Sequence, residues 1–338
     1  MIIVLKPDIS KKDEAAVLKE IKKLGYKPHV MRGVERTVIG AIGDERKNHT
    51  LETLPASFPQ VEKVMPVQKR YKLTSREAHK ANSTINVRGN LIGGKKIQIM
   101  AGPCSVESEK QLLATAHAVK KAGATILRGG AFKPRTSPYE FQGLGEKGLK
   151  MLAKARKETG LAIITELLSE QHAEMVAEYA DILQIGARNC QNFQLLIAAA
   201  KTGKPVLLKR GLSMKIEEWL LAGEYVLAND NANLMFCERG IRTFETYTRN
   251  TLDLSTIPII KKESHCPIVI DPSQGAGRAD LVAALCKGAV AMGADALLIE
   301  VHPNPAEAWS DGAQQLTLDG FKKLMEELKP FLAAAGRE

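Results

Sequence analysis

The sequence predicts a (β/α)8 barrel, an α/β TIM barrel, preceded by a small α+β ferredoxin-like domain, and three observations carry that expectation. Apolar strand and amphipathic helix alternate eight times from residue 97 onward. A different order, strand, helix, strand, strand, helix, strand, fills residues 1–68. Polar and charged residues recur at the C-terminal ends of the eight strands, the rim on which such barrels build their sites.

Residues 2–6 read as a first strand, too short for a signal peptide. Val17, Leu18, Ile21 and Leu24 make a helical stripe over 11–24, and Gly25 stops it. Strands over 26–31 and 36–42 are joined by the turn Arg32-Gly33-Val34-Glu35, and a weak helix near 48–54 and a strand over 61–67 complete the set. That βαββαβ order suits a fold often used for effector binding and subunit pairing. Residues 69–96 are polar and irregular, and Arg88-Gly89-Asn90 with Gly93-Gly94 mark a linker followed by a short hairpin.

The barrel is expected over 97–338, with strands at 97–101, 124–130, 161–167, 181–187, 205–209, 233–238, 267–271 and 296–302. Each is a near-continuous apolar run, as burial of both faces requires. In the first crossover Ser108-Glu109-Lys110-Gln111 has capping-box spacing, Leu112, Leu113, Ala116 and Val119 share a face, and Gly123 follows. Eight such units occupy about 250 residues in a typical barrel, which this part of the chain matches. A doubly wound open sheet is the alternative architecture.

Composition narrows the class. The 338 residues are 44% hydrophobic and 25% charged, as in an ordinary globular protein, and no apolar run is long enough to span a bilayer. Cys104, Cys190, Cys237, Cys266 and Cys286 are odd in number and show no CxxC spacing, so neither a disulfide framework nor a zinc ribbon is indicated and a reducing cytoplasm is expected. The net charge of +10 raises the question of nucleic acid or acidic membrane, but half the excess lies in the first 70 residues and aromatics are only 5%. With no interleaved basic and aromatic run, a nucleic-acid platform is not expected.

The stretch 126–143 starts as an apolar strand and ends as a loop carrying Arg128, Lys133 and Arg135. Three cations at the end of a buried strand call for an anion, since unpaired charge in a closed site is costly. A small phosphorylated substrate is the natural partner, and a solvated basic loop is the bland alternative. Reading the other strand ends in order adds Cys104, Glu166, Arg188, Lys209, Glu238 with Arg239, Asp271 with Gln274, and Glu300 with His302. Arg128, Lys133, Arg188, Lys209 and Arg239 suffice to hold a phosphate and a carboxylate on one compact ligand, Arg by bidentate forks and Lys as a point charge. Cys104, Glu300 and Asp311 are candidate ligands of a divalent metal, one thiolate with two carboxylates. The competing reading makes Cys104 a small buried residue and Asp311 part of the turn Ser310-Asp311-Gly312.

The assembled motifs resemble those of a 3-deoxy-D-arabino-heptulosonate 7-phosphate (DAHP) synthase of the type I beta-like branch that carries an N-terminal ferredoxin-like regulatory domain. The marks are Ala101-Gly102-Pro103-Cys104-Ser105, Leu127-Arg128-Gly129-Gly130 with Lys133-Pro134-Arg135-Thr136-Ser137, Gln184-Ile185-Gly186-Ala187-Arg188-Asn189, Leu208-Lys209-Arg210-Gly211, Cys237-Glu238-Arg239-Gly240, Asp271-Pro272-Ser273 and Glu300-Val301-His302-Pro303. The resemblance implies condensation of phosphoenolpyruvate with D-erythrose 4-phosphate, releasing phosphate, at the head of the shikimate pathway. It implies that Arg128, Lys133, Arg188, Lys209 and Arg239 hold phosphoenolpyruvate and that Pro134, Arg135, Thr136 and Ser137 seat erythrose 4-phosphate. Lys133 would donate a proton to the aldehyde oxygen. A divalent metal, Mn²⁺ or similar, would polarise the aldehyde from Cys104, Glu300 and Asp311. Arg128, Lys133 and Cys104 are therefore the expected catalytic set.

One position departs from the family. The fourth metal ligand is a histidine in an Asp-Pro-Ser-His run, and here that residue is Gln274. A neutral, hard amide oxygen is a poorer donor than imidazole to borderline metals, so weaker or altered metal binding is expected. His302 lies two residues after Glu300 on the same strand face, but the family already has a histidine there without a ligand role, so it is expected to support the site. The resemblance also implies an aromatic amino-acid effector, Tyr or Phe, on the N-terminal domain, where His29 is the one contact named, and a homotetramer. Two alternatives stand: the sister condensation with arabinose 5-phosphate giving 3-deoxy-octulosonate 8-phosphate, and a catalytically impaired regulatory paralogue. The first typically carries Lys-Ala-Asn-Arg-Ser-Ser where this chain has Lys133-Pro134-Arg135-Thr136-Ser137, and the second is motivated by Gln274 alone.

Overall fold

The computed structural model describes residues 1–7, 9–32, 36–43, 51–65 and 70–338. They form two compact units, Met1–Arg70 and Tyr71–Glu338. Among the described residues no helix is long and apolar enough to cross a membrane.

In the first unit β1 (Ile2–Leu5), β2 (Lys27–Arg32), β3 (Thr37–Ile42) and β4 (Val61–Met65) make one sheet in the order β2-β3-β1-β4, the ferredoxin-like arrangement. Helix α1 (Lys11–Lys23) begins where the Ser10 hydroxyl accepts from the Asp13 backbone N–H at 3.1 Å. Its stripe brings Val17 and Ile21 onto Ile3, Leu5, Ile39 and Val61 in the core. Residues 33–35 of the turn read at 32–35 and 48–50 of the weak helix read at 48–54 lie outside the described residues. Leu51 and Glu52, inside that expected helix, are helical, and α2 (Leu54–Ser57), one short turn opened by Pro55, follows. His29 is an exposed residue of β2, an edge strand, opposite Gly40.

The second unit opens with the hairpin β5 (Ile85–Val87) and β6 (Asn90–Ile92). Arg88 and Gly89 take φ of 50° and 87°, the left-handed pair that a two-residue hairpin turn needs. The hairpin is no free linker. Ile85, Val87 and Ile92 are buried with Ile126, Ala162, Ile182 and Ala296, which stand at or near the starts of their strands, so the hairpin closes the N-terminal end of the barrel.

Eight parallel strands close that barrel: β7 (Gln98–Gly102), β8 (Ile126–Arg128), β9 (Ala162–Glu166), β10 (Ile182–Ile185), β11 (Val206–Lys209), β12 (Leu234–Glu238), β13 (Ile268–Ile270) and β14 (Ala296–Glu300), which returns to β7. The crossovers include α3 (Glu109–Lys121), α4 (Glu146–Thr159), α5 (Ala173–Tyr179), α6 (Phe193–Lys201) and α7 (Ile216–Leu227). They continue with α8 (Thr256–Glu263), the short α9 (Pro272–Ala276), α10 (Ala279–Ala291) and α11 (Leu318–Ala334). Ser108 caps α3 by accepting from the Gln111 N–H at 3.2 Å. Two apolar clusters follow from strand alternation. Met100, Leu207, Met235, Val269 and Leu298 fill the barrel, and Ile99, Leu208, Phe236, Ile270 and Ile299 face the helices.

Candidate active site

The same alternation, continued to the C-terminal ends of the strands, decides which polar residues enter the barrel. Ile126 points in, so Arg128 does; Leu207 points in, so Lys209 does; Leu298 points in, so Glu300 does. By the same parity Cys237 and Arg239 point in and Glu238 points out. Glu238 pairs outside the barrel with Arg210 at 2.9 Å and accepts from the Gly240 N–H at 2.6 Å, which corrects its reading as a group of the rim.

Of these inward residues Arg128, Lys209 and Arg239 line a cavity of about 270 Å³ together with the loops after β8 and β10. Arg128, Lys133, Pro134, Arg135, Thr136, Arg188, Lys209, Arg239, Gln274 and Asp311 all contribute to its wall. Seven cations face it against three carboxylates, Glu140, Glu166 and Asp311, so the cavity attracts anions. Arg128, Lys133, Lys209 and Arg239 are buried. Lys209 bonds Asp271 at 2.6 Å, and Arg128 meets Glu300 at 3.1 Å and donates to the Pro103 carbonyl at 2.7 Å. Even so, Arg128 Nε and Arg239 Nη1 are buried without any hydrogen-bond partner, a state that costs stability unless a ligand supplies acceptors. Burial holds the Arg239 pKa below its ordinary value.

Glu166 also faces the cavity. Burial raises its carboxyl pKa against the pull of Lys133, Lys209, Arg128 and Arg188. Its place depends on Gly186: a Cβ there would lie 2.0 Å from Glu166 Oε1.

Beside the cations lies an acid-and-thiol cluster. The ligand atoms of Cys104, Glu300 and Asp311 all lie within 4.8 Å of one another. One sulfur with two carboxylates fits a divalent cation of borderline character. Asp311 occupies a left-handed turn position at φ 48°, so its turn role and its place in the cluster coexist. Lys133 Nζ donates to Cys104 Sγ at 3.0 Å and to its carbonyl at 3.2 Å. Burial, then Glu300, pushes the Cys104 thiol up to about 11, against the pull of Lys133. Burial also works against the Lys133 ammonium, but Cys104 and Glu300 outweigh it and raise its pKa. Asp311 is held below the usual carboxylate range: burial pushes it up, but Arg249, Lys133 and the Cys104 hydrogen bond outweigh that.

Three further side chains close this cluster. Gln314 Nε2 donates to Glu300 Oε2 at 2.6 Å, and Arg249 Nη1 reaches Asp311 at 3.3 Å and Gln314 Oε1 at 3.1 Å. Gln274, read as a doubtful fourth ligand, turns its oxygen to Arg239 Nη2 at 2.7 Å and its nitrogen to Glu300 at 3.1 Å and Asp311 at 3.4 Å. In this orientation it does not offer an oxygen to the cluster. His302 faces elsewhere: its Nδ1 accepts from the Asn304 N–H, so its Nε2 carries the proton and donates to Glu107 at 3.1 Å.

Ser137 is absent from the cavity wall; its N–H reaches Glu140, which in turn chelates Arg135 at 3.1 and 3.2 Å. Arg249 and Gln314 escaped sequence reading because they sit on long loops rather than at strand ends. No periodicity marks such positions.

A closed β/α barrel whose C-terminal rim gathers cations beside a thiol-carboxylate cluster defines an enzyme built to hold a multiply charged anion next to a cation site. Comparison with known proteins gives that class its family. Residues 76–334 match the DAHP synthetase I family and residues 1–69 match the DAHP synthase ferredoxin-like domain, and the chain belongs to this family. It is 51% identical over 336 residues, 99% of both chains, to phospho-2-dehydro-3-deoxyheptonate aldolase of Thermotoga maritima. A crystal structure of the DAHP synthase of that organism superposes with a TM-score of 0.89 at 50% identity, covering 100% of this chain and 98% of that one. A 2-dehydro-3-deoxyphosphooctonate aldolase of Syntrophotalea carbinolica is more distant, 34% identical over 264 residues, 72% of this chain and 94% of the relative. The full-length similarity therefore favours the heptulosonate reading over the octulosonate alternative.

Proposed function

We propose that this cavity condenses phosphoenolpyruvate with D-erythrose 4-phosphate and water to give DAHP and inorganic phosphate, with the residues in the following roles. The observation that carries the assignment is the pair of buried, unpartnered guanidinium N–H groups on Arg128 and Arg239 in a cavity with an excess of cations. They, with Lys133, Arg188 and Lys209, seat the phosphate and carboxylate of phosphoenolpyruvate. Pro134, Arg135 and Thr136 line the mouth where erythrose 4-phosphate enters, and Ser137 acts through Glu140 by ordering that loop.

With both substrates held, C3 of the enol attacks the aldehyde carbon, and the Lys133 ammonium delivers a proton to the aldehyde oxygen. Water adds at C2, Glu166 takes its proton, and the phosphate leaves with the bridging oxygen. Cys104, Glu300 and Asp311 would hold a divalent cation, Mn²⁺ or similar, which would polarise a carbonyl as a Lewis acid. The stain-free test is phosphate release from phosphoenolpyruvate with erythrose 4-phosphate or arabinose 5-phosphate, with and without Mn²⁺. Turnover restricted to the four-carbon sugar is expected. No turnover with any metal would leave the impaired-paralogue reading, which rests on Gln274.

We infer further that residues 1–68 are regulatory and the barrel catalytic, in a cytoplasmic homotetramer. Deleting residues 1–68 is expected to keep phosphate release and remove inhibition by Tyr or Phe. His29→Ala is expected to weaken that inhibition. Inhibition retained by the truncated chain would refute the assignment.

A further inference from the structure

Gln274 stands between the two halves of the cavity. Its Oε1 accepts from Arg239, and its Nε2 donates to Glu300 and Asp311. The neighbours dictate that orientation, because a guanidinium can only donate and ionised carboxylates can only accept. The backbone is anchored separately: the Gln274 N–H donates to Asp271 Oδ1 at 2.9 Å and its carbonyl accepts from Asn250 at 3.0 Å. The amide can therefore turn about its side-chain bonds while the backbone stays fixed.

Two consequences follow from the electrostatics. The amide hydrogens point at the same carboxylates that a divalent cation would use, so like signs would meet if the cation entered with the amide in place. A simple turn of the amide is blocked as well, since it would set N–H against the Arg239 guanidinium. An anion on Arg239 lifts that block. Its oxygens accept from Arg239 and from the turned amide nitrogen, and the amide oxygen is released toward the acid cluster.

We propose that Gln274 is a reversible amide link coupling the two ligands of this site: it bridges Arg239 to Glu300 and Asp311 in the free protein, and an anion seated on Arg239 frees it to offer its oxygen to a divalent cation held by Cys104, Glu300 and Asp311. This rests on the reading of Arg239 as part of the phosphoenolpyruvate site. A histidine at this position would offer a ring nitrogen with or without the anion, whereas glutamine does so only after turning. Cation and anion are thus linked through one side chain, and by reciprocity each tightens the other.

The test is Mn²⁺ binding to the full-length protein, read as free Mn²⁺ by electron paramagnetic resonance, with and without saturating phosphoenolpyruvate. In the unaltered protein the anion is expected to tighten Mn²⁺ binding about tenfold or more. In Gln274→Leu, which has no amide to turn, the ratio falls below about threefold, leaving only the direct attraction between the ligands. Gln274→Glu presents an oxygen in either orientation and is expected to bind Mn²⁺ well without the anion, again with a small ratio. Equal ratios in the three proteins, or no tightening in the unaltered one, would overturn the link. Phosphate release is followed in the same samples. Turnover with uncoupled Mn²⁺ removes this inference alone, and coupled Mn²⁺ binding without turnover on erythrose 4-phosphate removes the proposed condensation alone.

Discussion

On one wall of the cavity Arg128 and Arg239 each keep a buried N–H without a partner, whereas on the other Glu300 and Asp311 have their oxygens occupied by Gln274, Gln314 and Arg249. Both walls are charged and buried, yet they carry the cost of burial differently. The cationic wall leaves one donor open on each arginine, so an incoming anion gains hydrogen bonds there before the Gln274 amide turns away from Arg239. The acidic wall is oriented by Gln314 and closed by the Gln274 amide, so an incoming cation must displace that one N–H donor first. Preorganisation belongs to the anion side, and the cation side is gated.

That contrast can be broken from either wall. The largest effect is expected from Lys133→Met, which removes the ammonium touching Cys104 Sγ and facing the cavity. Loss of a positioned proton donor lowers kcat about 10²–10⁴-fold, read by phosphate release; an unchanged kcat would take Lys133 out of the chemistry. On the acidic wall, Gln314→Leu frees Glu300 Oε2 while stripping the contact that orients it. Loss of such an outer contact weakens metal affinity about 10–100-fold, and Mn²⁺ titration checks it. The smallest signal is chemical. With the Cys104 thiol pushed up to about 11, alkylation of the metal-stripped protein at this residue is slow at pH 8, and its rate rises tenfold per pH unit until that value is reached. A rate that levels off near an ordinary thiol pKa would show that the cluster is more open to solvent than the contacts imply.

Much of this was legible in the sequence because strand alternation and residue chemistry are local properties. The eight apolar runs specify the barrel, and the Arg and Lys residues at their ends specify the anion. The failures are equally physical. Glu238 and Arg239 are neighbours in sequence, and only the inward side of Cys237 decides that the arginine enters the cavity and the glutamate leaves it. Residues 69–96 read as a linker with a short hairpin, and the hairpin is there, but polarity hides that its three apolar side chains, Ile85, Val87 and Ile92, seal the barrel floor. Ser137 belongs to the right motif but is turned toward Glu140. Arg249 and Gln314 come from loops whose course depends on tertiary contacts, and the Gln274 amide takes its orientation from Arg239, Glu300 and Asp311, which meet only in the folded barrel.

Calorimetric titration of the metal-stripped protein with phosphoenolpyruvate tests the contrast between the two walls most directly. The account predicts one-site binding that persists in chelator and is lost in Arg239→Met, because the open donors on Arg128 and Arg239 need no cation to accept the anion. Binding that appears only after Mn²⁺ is restored would contradict it.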